Sequence, residues 1–279
     1  MNKIIAAFDG LKYSESTGDY AIDIAKITDS KITGVFLDDR TYTSFKIYDL
    51  VLDHGVSEQK LRLLKEKDNQ SRMISANKFE NMCRKSGVNC NIHHDKNVAL
   101  QDLLHETIFA DLLIINHTES FTHYDEEYPT RFIRDLLSNT QAPVFLVPEI
   151  YRKIEKLILL YDGTNTSIYA IKMFNYLFPQ YKSLPVELIC IKNMDSSLHI
   201  PDYQLLKDFL KRHFENIKYT VLKGLPEIEI VNHLKDEDSN VIAILGAYRR
   251  TMLSRWFKSS MADALIKELK LPLFIAHNK

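Results

Sequence analysis

The chain has 279 residues, 26% charged and 45% apolar, with a net charge of −1. That is ordinary globular composition, and it excludes a disordered or collagen-like chain. A near-neutral balance gives no electrostatic footprint for nucleic acid or an anionic membrane, so neither is expected as a partner. The three cysteines, Cys83, Cys90 and Cys190, have no CxxC spacing. They suit neither a disulfide framework nor a structural zinc site, and they fit a reducing compartment. The opening MNKIIAAFDG has an apolar run too short for a signal-peptide core, and no stretch approaches the roughly 20 apolar residues of a membrane span. A cytoplasmic location is expected.

The chain repeats itself. KIIAAFDG at 3–10 matches KLILLYDG at 156–163, each an apolar run closed by Asp-Gly. Each is followed by a polar turn, Ser14 and Ser16 in one and Thr164, Thr166 and Ser167 in the other, and then by an amphipathic stretch. Further on, ADLLIIN at 110–116 matches SNVIAILG at 239–246. These are continuous apolar runs, as expected of parallel strands covered on both faces. Both halves close on a helical pattern, a Pro and a short apolar strand, at 134–149 and 263–278. The matching offset falls from about 153 at the front to about 129 at the back, so the first half carries an insertion between about 40 and 75. From Ser57 to Lys85 the pattern is helical, with Gly87 as its stop.

The second half reads as strands KLILLY, VELICI, IKYTVL, NVIAIL and PLFIA, alternating with helices over about 167–178, 202–214, 226–236 and 259–270. Strands alternating with helices of this length imply right-handed crossovers and a parallel sheet. Two α/β domains in tandem are expected, 1–150 and 151–279, each a five-stranded, mainly parallel sheet flanked by helices. The short linker YRKIEK implies that they pack together.

In an open parallel sheet, ligands bind beyond the carboxyl ends of the strands. Three places follow in each half: the Asp9-Gly10 or Asp162-Gly163 turn, the end of the second strand at Leu37 or Ile191, and the loop after the fourth strand. That last loop is basic in the second half, with Arg249, Arg250, Arg255 and Lys258. In the first half it is acidic, with Glu119, Asp125, Glu126 and Glu127. If either half binds an anion, it is therefore expected to be the second.

Over both halves the chain resembles a tandem universal stress protein. Nucleotide-binding members of that family carry an Asp at the end of the first strand. They also carry a loop of Gly, two residues, Gly, nine residues, Gly, then Ser or Thr. Here Asp162 stands at the Asp position, Gly246 at the first glycine, Arg249 at the second, Ser259 at the third and Ser260 at the Ser/Thr position. The spacing is kept and two of the three glycines are replaced. A glycine-built phosphate cradle is thereby excluded, because those glycines allow positive φ and close backbone approach. What remains is a helix N-terminus near Ser259, Ser260 and Met261, with Arg249 and Arg250 to supply charge-assisted hydrogen bonds. The resemblance implies ATP or another adenine nucleotide at Asp162, Gly163, Thr164, Ile191, Gly246, Arg249, Arg250, Ser259, Ser260 and Met261. The first half has Asn116 where Gly246 stands and is expected not to bind ATP in this way. The resemblance also implies that the closing strands of the two halves pair with each other. Homodimerisation of the whole chain stays open.

Each of these residues has a plainer reading. Asp9 and Asp162 suit turn chemistry, Ser259 and Ser260 a helix cap, Arg249 and Arg250 a solvated loop, and Trp256-Phe257 a packing plug. His93, His94, Cys83 and Cys90 lack a further ligand at metal-site spacing, and His117 and His123 are expected as exposed loop residues. No GxxxxGK[ST], GxGxxG, SGGxDS-like, HxGH or GxSxG motif is present, so no dedicated catalysis is expected. Two readings stand: a stress-response module that binds an adenine nucleotide, and an interaction protein whose nucleotide site has decayed.

Overall fold

The computed structural model describes residues 1–38, 42–45, 57–95, 97–194, 199–237, 239–246 and 261–277. The first half runs β1 (Lys3–Asp9), α1 (Glu15–Thr28), β2 (Lys31–Leu37), α2 (Glu58–Ser86), β3 (Cys90–Asp95), α3 (Ala99–Thr107), β4 (Leu112–Asn116), α4 (Arg131–Asn139) and β5 (Val144–Val147). The second runs β6 (Lys156–Leu160), α5 (Asn165–Leu177), β7 (Val186–Lys192), α6 (Tyr203–His213), β8 (Ile217–Lys223), α7 (Pro226–Lys235), β9 (Val241–Gly246), α8 (Met261–Leu269) and β10 (Leu273–Ala276). The strands and helices read from the apolar runs are present within a residue or two at each end, except that the start of the helix expected over about 259–270 lies outside the described residues.

All ten strands form one sheet in the order β3-β2-β1-β4-β5-β10-β9-β6-β7-β8. Within each half every neighbouring pair is parallel. The halves meet through one antiparallel pair, in which Leu146 faces Leu273, Phe145 faces Phe274 and Val144 faces Ile275. Each of these short strands would otherwise leave an unpaired edge. Pairing them makes the two sheets continuous.

The core lies on both faces because successive strand residues point to opposite sides. Along β1, Ile4, Ala6 and Phe8 join the side chains of α1 and α2, while Ile5 and Ala7 join those of α3 and α4. The first face is shared across the junction. Phe174 of α5 meets Phe274 edge-on at 5.2 Å, and Phe145 meets Phe178 at 6.2 Å.

Local chemistry sets the helix ends. Ser57 caps α2 by accepting the Lys60 N–H at 3.1 Å, and Gly87 ends it at φ +69°. That is the left-handed stop a glycine provides without a Cβ penalty. Ser14, Thr130 and Thr164 cap α1, α4 and α5 in the same way.

Buried charge is confined to a few networks. Glu187 on β7, whose side chain is 1% exposed, receives Lys156 at 2.9 Å, Lys218 at 3.0 Å, the Thr220 hydroxyl at 2.6 Å and His233 at 3.0 Å. Burial opposes its ionisation, but the Thr220 hydroxyl and the Lys156 and Lys218 ammonium groups outweigh it and hold the carboxyl down at about 2. Among the described residues, no helix is long and apolar enough to cross a membrane.

Candidate functional site

In the second half, β6 delivers Tyr161 and Asp162 to the carboxyl edge of the sheet. Asp162 Oδ1 accepts the Thr164 N–H at 2.9 Å and the Thr164 hydroxyl at 2.7 Å. Thr164 Oγ1 in turn accepts the Ser167 N–H at 3.4 Å, capping α5. Gly163 sits at φ +87° against Pro201, where a side chain would be strained. The Asp-Gly pair is thus turn chemistry, and its carboxylate stands exposed beside the cleft.

Gly246 closes the end of β9 directly against the start of α5. A Cβ there would lie 2.5 Å from the Thr166 carbonyl carbon and 2.7 Å from the Ser167 nitrogen. Only glycine permits this approach of strand to helix. Beside it lies a cavity of about 270 Å³ between the ends of β6, β7 and β9 and the starts of α7 and α8. Its walls are mainly apolar, with Ile189, Ile191, Ile230 and Leu245, and its polar groups are Asp162, Thr166, Ser167 and Glu227.

Four nominated residues, Asp162, Ile191, Gly246 and Met261, line this cavity. Gly163 and Thr164 stand just behind it and serve the turn and the helix cap. Arg249, Arg250, Ser259 and Ser260 lie outside the described residues, as do Trp256 and Phe257. Glu227, Pro226 and Ile230 also line it, from the first turns of α7 directly after the third strand of the half, an end the sequence reading leaves out.

The first half places different chemistry at the same edge. Asp9 is only 2% exposed, and its Oδ1 accepts the Leu11 N–H at 2.8 Å. Burial raises its carboxyl above the usual range, against the opposing Leu11 N–H and Lys12 charge. Arg72, from the inserted helix α2, reaches across the strand ends. Its Nε meets Asp38 Oδ1 at 3.1 Å, and its Nη2 donates to the Tyr42 carbonyl at 3.0 Å. Ser75 of the same helix donates to the Gly10 carbonyl at 2.7 Å. The insertion therefore covers the β1 and β2 ends that stay open in the second half. The remaining space, about 780 Å³, is bordered by six carboxyl groups and one ammonium, that of Lys12. Burial, reinforced by the Asp9 charge, pushes the Glu119 carboxyl well above its ordinary value.

One sequence expectation is corrected here. His117 is buried, at 3% exposure, and is not an exposed loop residue. Glu119 beside it is buried too. The reason is that the turn after β4 stays tied to β5: the His117 N–H donates to the Val147 carbonyl at 3.0 Å, and the His117 ring lies edge-on to Tyr128 at 5.6 Å. Burial, with the Lys270 charge nearby, lowers the imidazole to about 4, so His117 is neutral at pH 7. His93 and His94 are spent on Glu106 and Asp38 at 2.9 and 3.3 Å. Among the described residues no group of three or more His, Cys, Asp or Glu side chains is placed to hold a metal ion.

No family model matches the chain, and no curated protein matches it. Solved structures do. A universal stress protein from Archaeoglobus fulgidus superimposes with a TM-score of 0.68 at 11% identity, covering 99% of this chain and 96% of that one. A functionally unknown protein from Pseudomonas aeruginosa gives 0.60 at 14% identity, covering 99% and 92%. At these identities the likeness concerns the fold. Over nearly its whole length, in two repeats of five parallel strands joined at β5 and β10, this chain has the fold of a universal stress protein.

Proposed function

We propose that the chain is a stress-response or regulatory protein of the universal stress protein type that binds an adenine nucleotide through its second half, without dedicated catalysis. One observation carries this reading. Asp162, Ile191, Gly246 and Met261, far apart in sequence, share the wall of one small, mainly apolar cavity at the carboxyl edge of the sheet. Small ligands bind in such clefts, with an apolar body and a few placed polar groups. The base and ribose would enter this cavity, with Asp162, Glu227, Thr166 and Ser167 available for hydrogen bonds. Arg249 and Arg250, in the basic segment that follows Gly246 in sequence, would supply the charge for the phosphates. The first half contributes no such site in this reading. Arg72 and Ser75 cover its strand ends, and its open space is rich in carboxyl groups that repel phosphate.

The competing reading, an interaction protein with a decayed site, draws on the replacement of two loop glycines by Arg249 and Ser259. Calorimetric titration with ATP, AMP and adenosine separates the two. Saturable binding that is lost in Asp162→Ala and Glu227→Ala supports the nucleotide reading, and absence of binding by all three ligands supports the other.

A further inference from the structure

We propose that the open space of the first half is a binding site for an aliphatic polyamine, a flexible chain carrying two or more ammonium groups.

The space lies at the carboxyl edge of the sheet, between the ends of β1 and β4 and the starts of α1 and α4. Its volume of about 780 Å³ falls within the range of small-molecule pockets. Three of its six carboxyl groups have partners within the protein. Asp9 Oδ1 accepts the Leu11 N–H at 2.8 Å, Glu15 pairs with Lys78, and Glu126 Oε2 accepts the Arg131 N–H at 2.6 Å. Among the described residues, no side chain bonds to the carboxyl group of Glu119, Asp125 or Glu149.

Glu119 carries the argument beyond a count of acids. It lines the space although it is only 6% exposed. Its backbone is pinned there, because its N–H donates to the Asn116 carbonyl at 3.3 Å and its carbonyl accepts the Thr130 hydroxyl. A carboxyl group is almost never buried unless it is paired, and this one faces a cavity with no cation bonded to it. The one bordering ammonium, that of Lys12, lies over the Tyr42 ring, 5.7 Å from its centre. Burial and the Asp9 charge, acting against Lys12, favour the neutral form of Glu119. An ammonium group in the cavity would supply the counter-charge it lacks.

The surroundings favour an organic cation over a metal ion. Tyr124 and Tyr128 border the space with 76% and 37% of their surfaces exposed. Aromatic rings attract ammonium groups and cover the methylenes between them. Charge also lies at two depths, with Asp9 and Glu119 buried and Asp125 and Glu149 exposed. That pattern suits a chain with an ammonium at each end.

The test is calorimetric titration of the full chain with spermidine and, separately, with magnesium chloride, at physiological ionic strength. The expected result is saturable binding of one spermidine, tighter than any binding of magnesium. Glu119→Gln should weaken spermidine about 30-fold. Asp125→Asn/Glu149→Gln, at exposed positions that leave the core untouched, should weaken it about tenfold. Glu127→Gln removes a charge from the same loop without bordering the space and should bind as wild type does. The proposal is overturned if spermidine does not bind saturably, if the Asp125/Glu149 variant or a folded Glu119→Gln protein binds as tightly as wild type, if Glu127→Gln weakens binding as much as they do, or if magnesium binds at least as tightly as spermidine.

Discussion

Gly246→Ala tests the packing on which the second-half cavity depends. The added Cβ would fall 2.5 Å from the Thr166 carbonyl carbon, 2.6 Å from its oxygen and 2.7 Å from the Ser167 nitrogen. All three are backbone atoms in the first turn of α5, and no flexible side chain can swing aside. Carbon atoms rest about 3.5–4.0 Å apart, so β9 and α5 must separate by on the order of 1 Å. Overpacking of this kind costs about 1–3 kcal/mol. Gly87→Ala is the counterpart, because nothing lies within 4 Å of its Cβ position and only its φ of +69° resists substitution. Its cost should be about 1 kcal/mol. Urea unfolding measures both variants, and calorimetry with adenosine reports the cavity. Gly246→Ala should lose both stability and binding, whereas Gly87→Ala should lose stability alone. A Gly246→Ala protein as stable as wild type would refute the close packing of β9 against α5.

Other outcomes follow from the same geometry. The folded Glu187 carboxyl lies at about 2 against an ordinary 4.5, so its contribution is complete above about pH 4.5 and disappears as pH falls toward 2. At 1.36 kcal/mol per pH unit this amounts to about 3 kcal/mol, and Glu187→Gln should flatten the acid limb of stability against pH in urea titrations. An unchanged acid limb would count against the network. Thr164→Ala removes the cap of α5 and a hydrogen bond to Asp162, and should cost about 1 kcal/mol by denaturant midpoint. Cutting the chain near Tyr151 and separating the pieces exposes the β5 and β10 edges. Sedimentation should show self-association of the fragments, and two soluble monomers would contradict the pairing.

Much of the fold was legible because the sequence writes it twice. The Asp-Gly ends of KIIAAFDG and KLILLYDG, and the apolar runs LLIIN and VIAILG, are continuous because both sheet faces are covered, and periodicity reads such strands well. The cap at Ser57 and the stop at Gly87 follow from local chemistry alone. Tertiary burial of polar residues was harder to see. VELICI reads as an apolar strand, yet Glu187 within it is buried and depends on Lys156, Lys218, Thr220 and His233, which lie scattered along the chain. His117 looks like a solvated loop residue in NHTESF, but in the turn after Asn116 its N–H bonds to the Val147 carbonyl and its side chain is buried. The reach of Arg72 over the first-half strand ends was equally hidden, because it depends on how an inserted helix docks. Within the candidate site, Asp162, Ile191, Gly246 and Met261 were recognisable from their places at strand and helix ends, while Glu227 needed the third strand to be placed beside the others.

The most direct measurement is calorimetric titration of ATP into the wild-type chain and into Arg249→Ala/Arg250→Ala. Saturable binding that is lost or strongly weakened in the double variant, with adenosine affinity little changed, is the expected result. It would assign the base to the cavity beside Asp162 and Gly246 and the phosphates to Arg249 and Arg250. No saturable binding of ATP to the wild-type chain would contradict the nucleotide reading and leave the interaction-protein reading in its place.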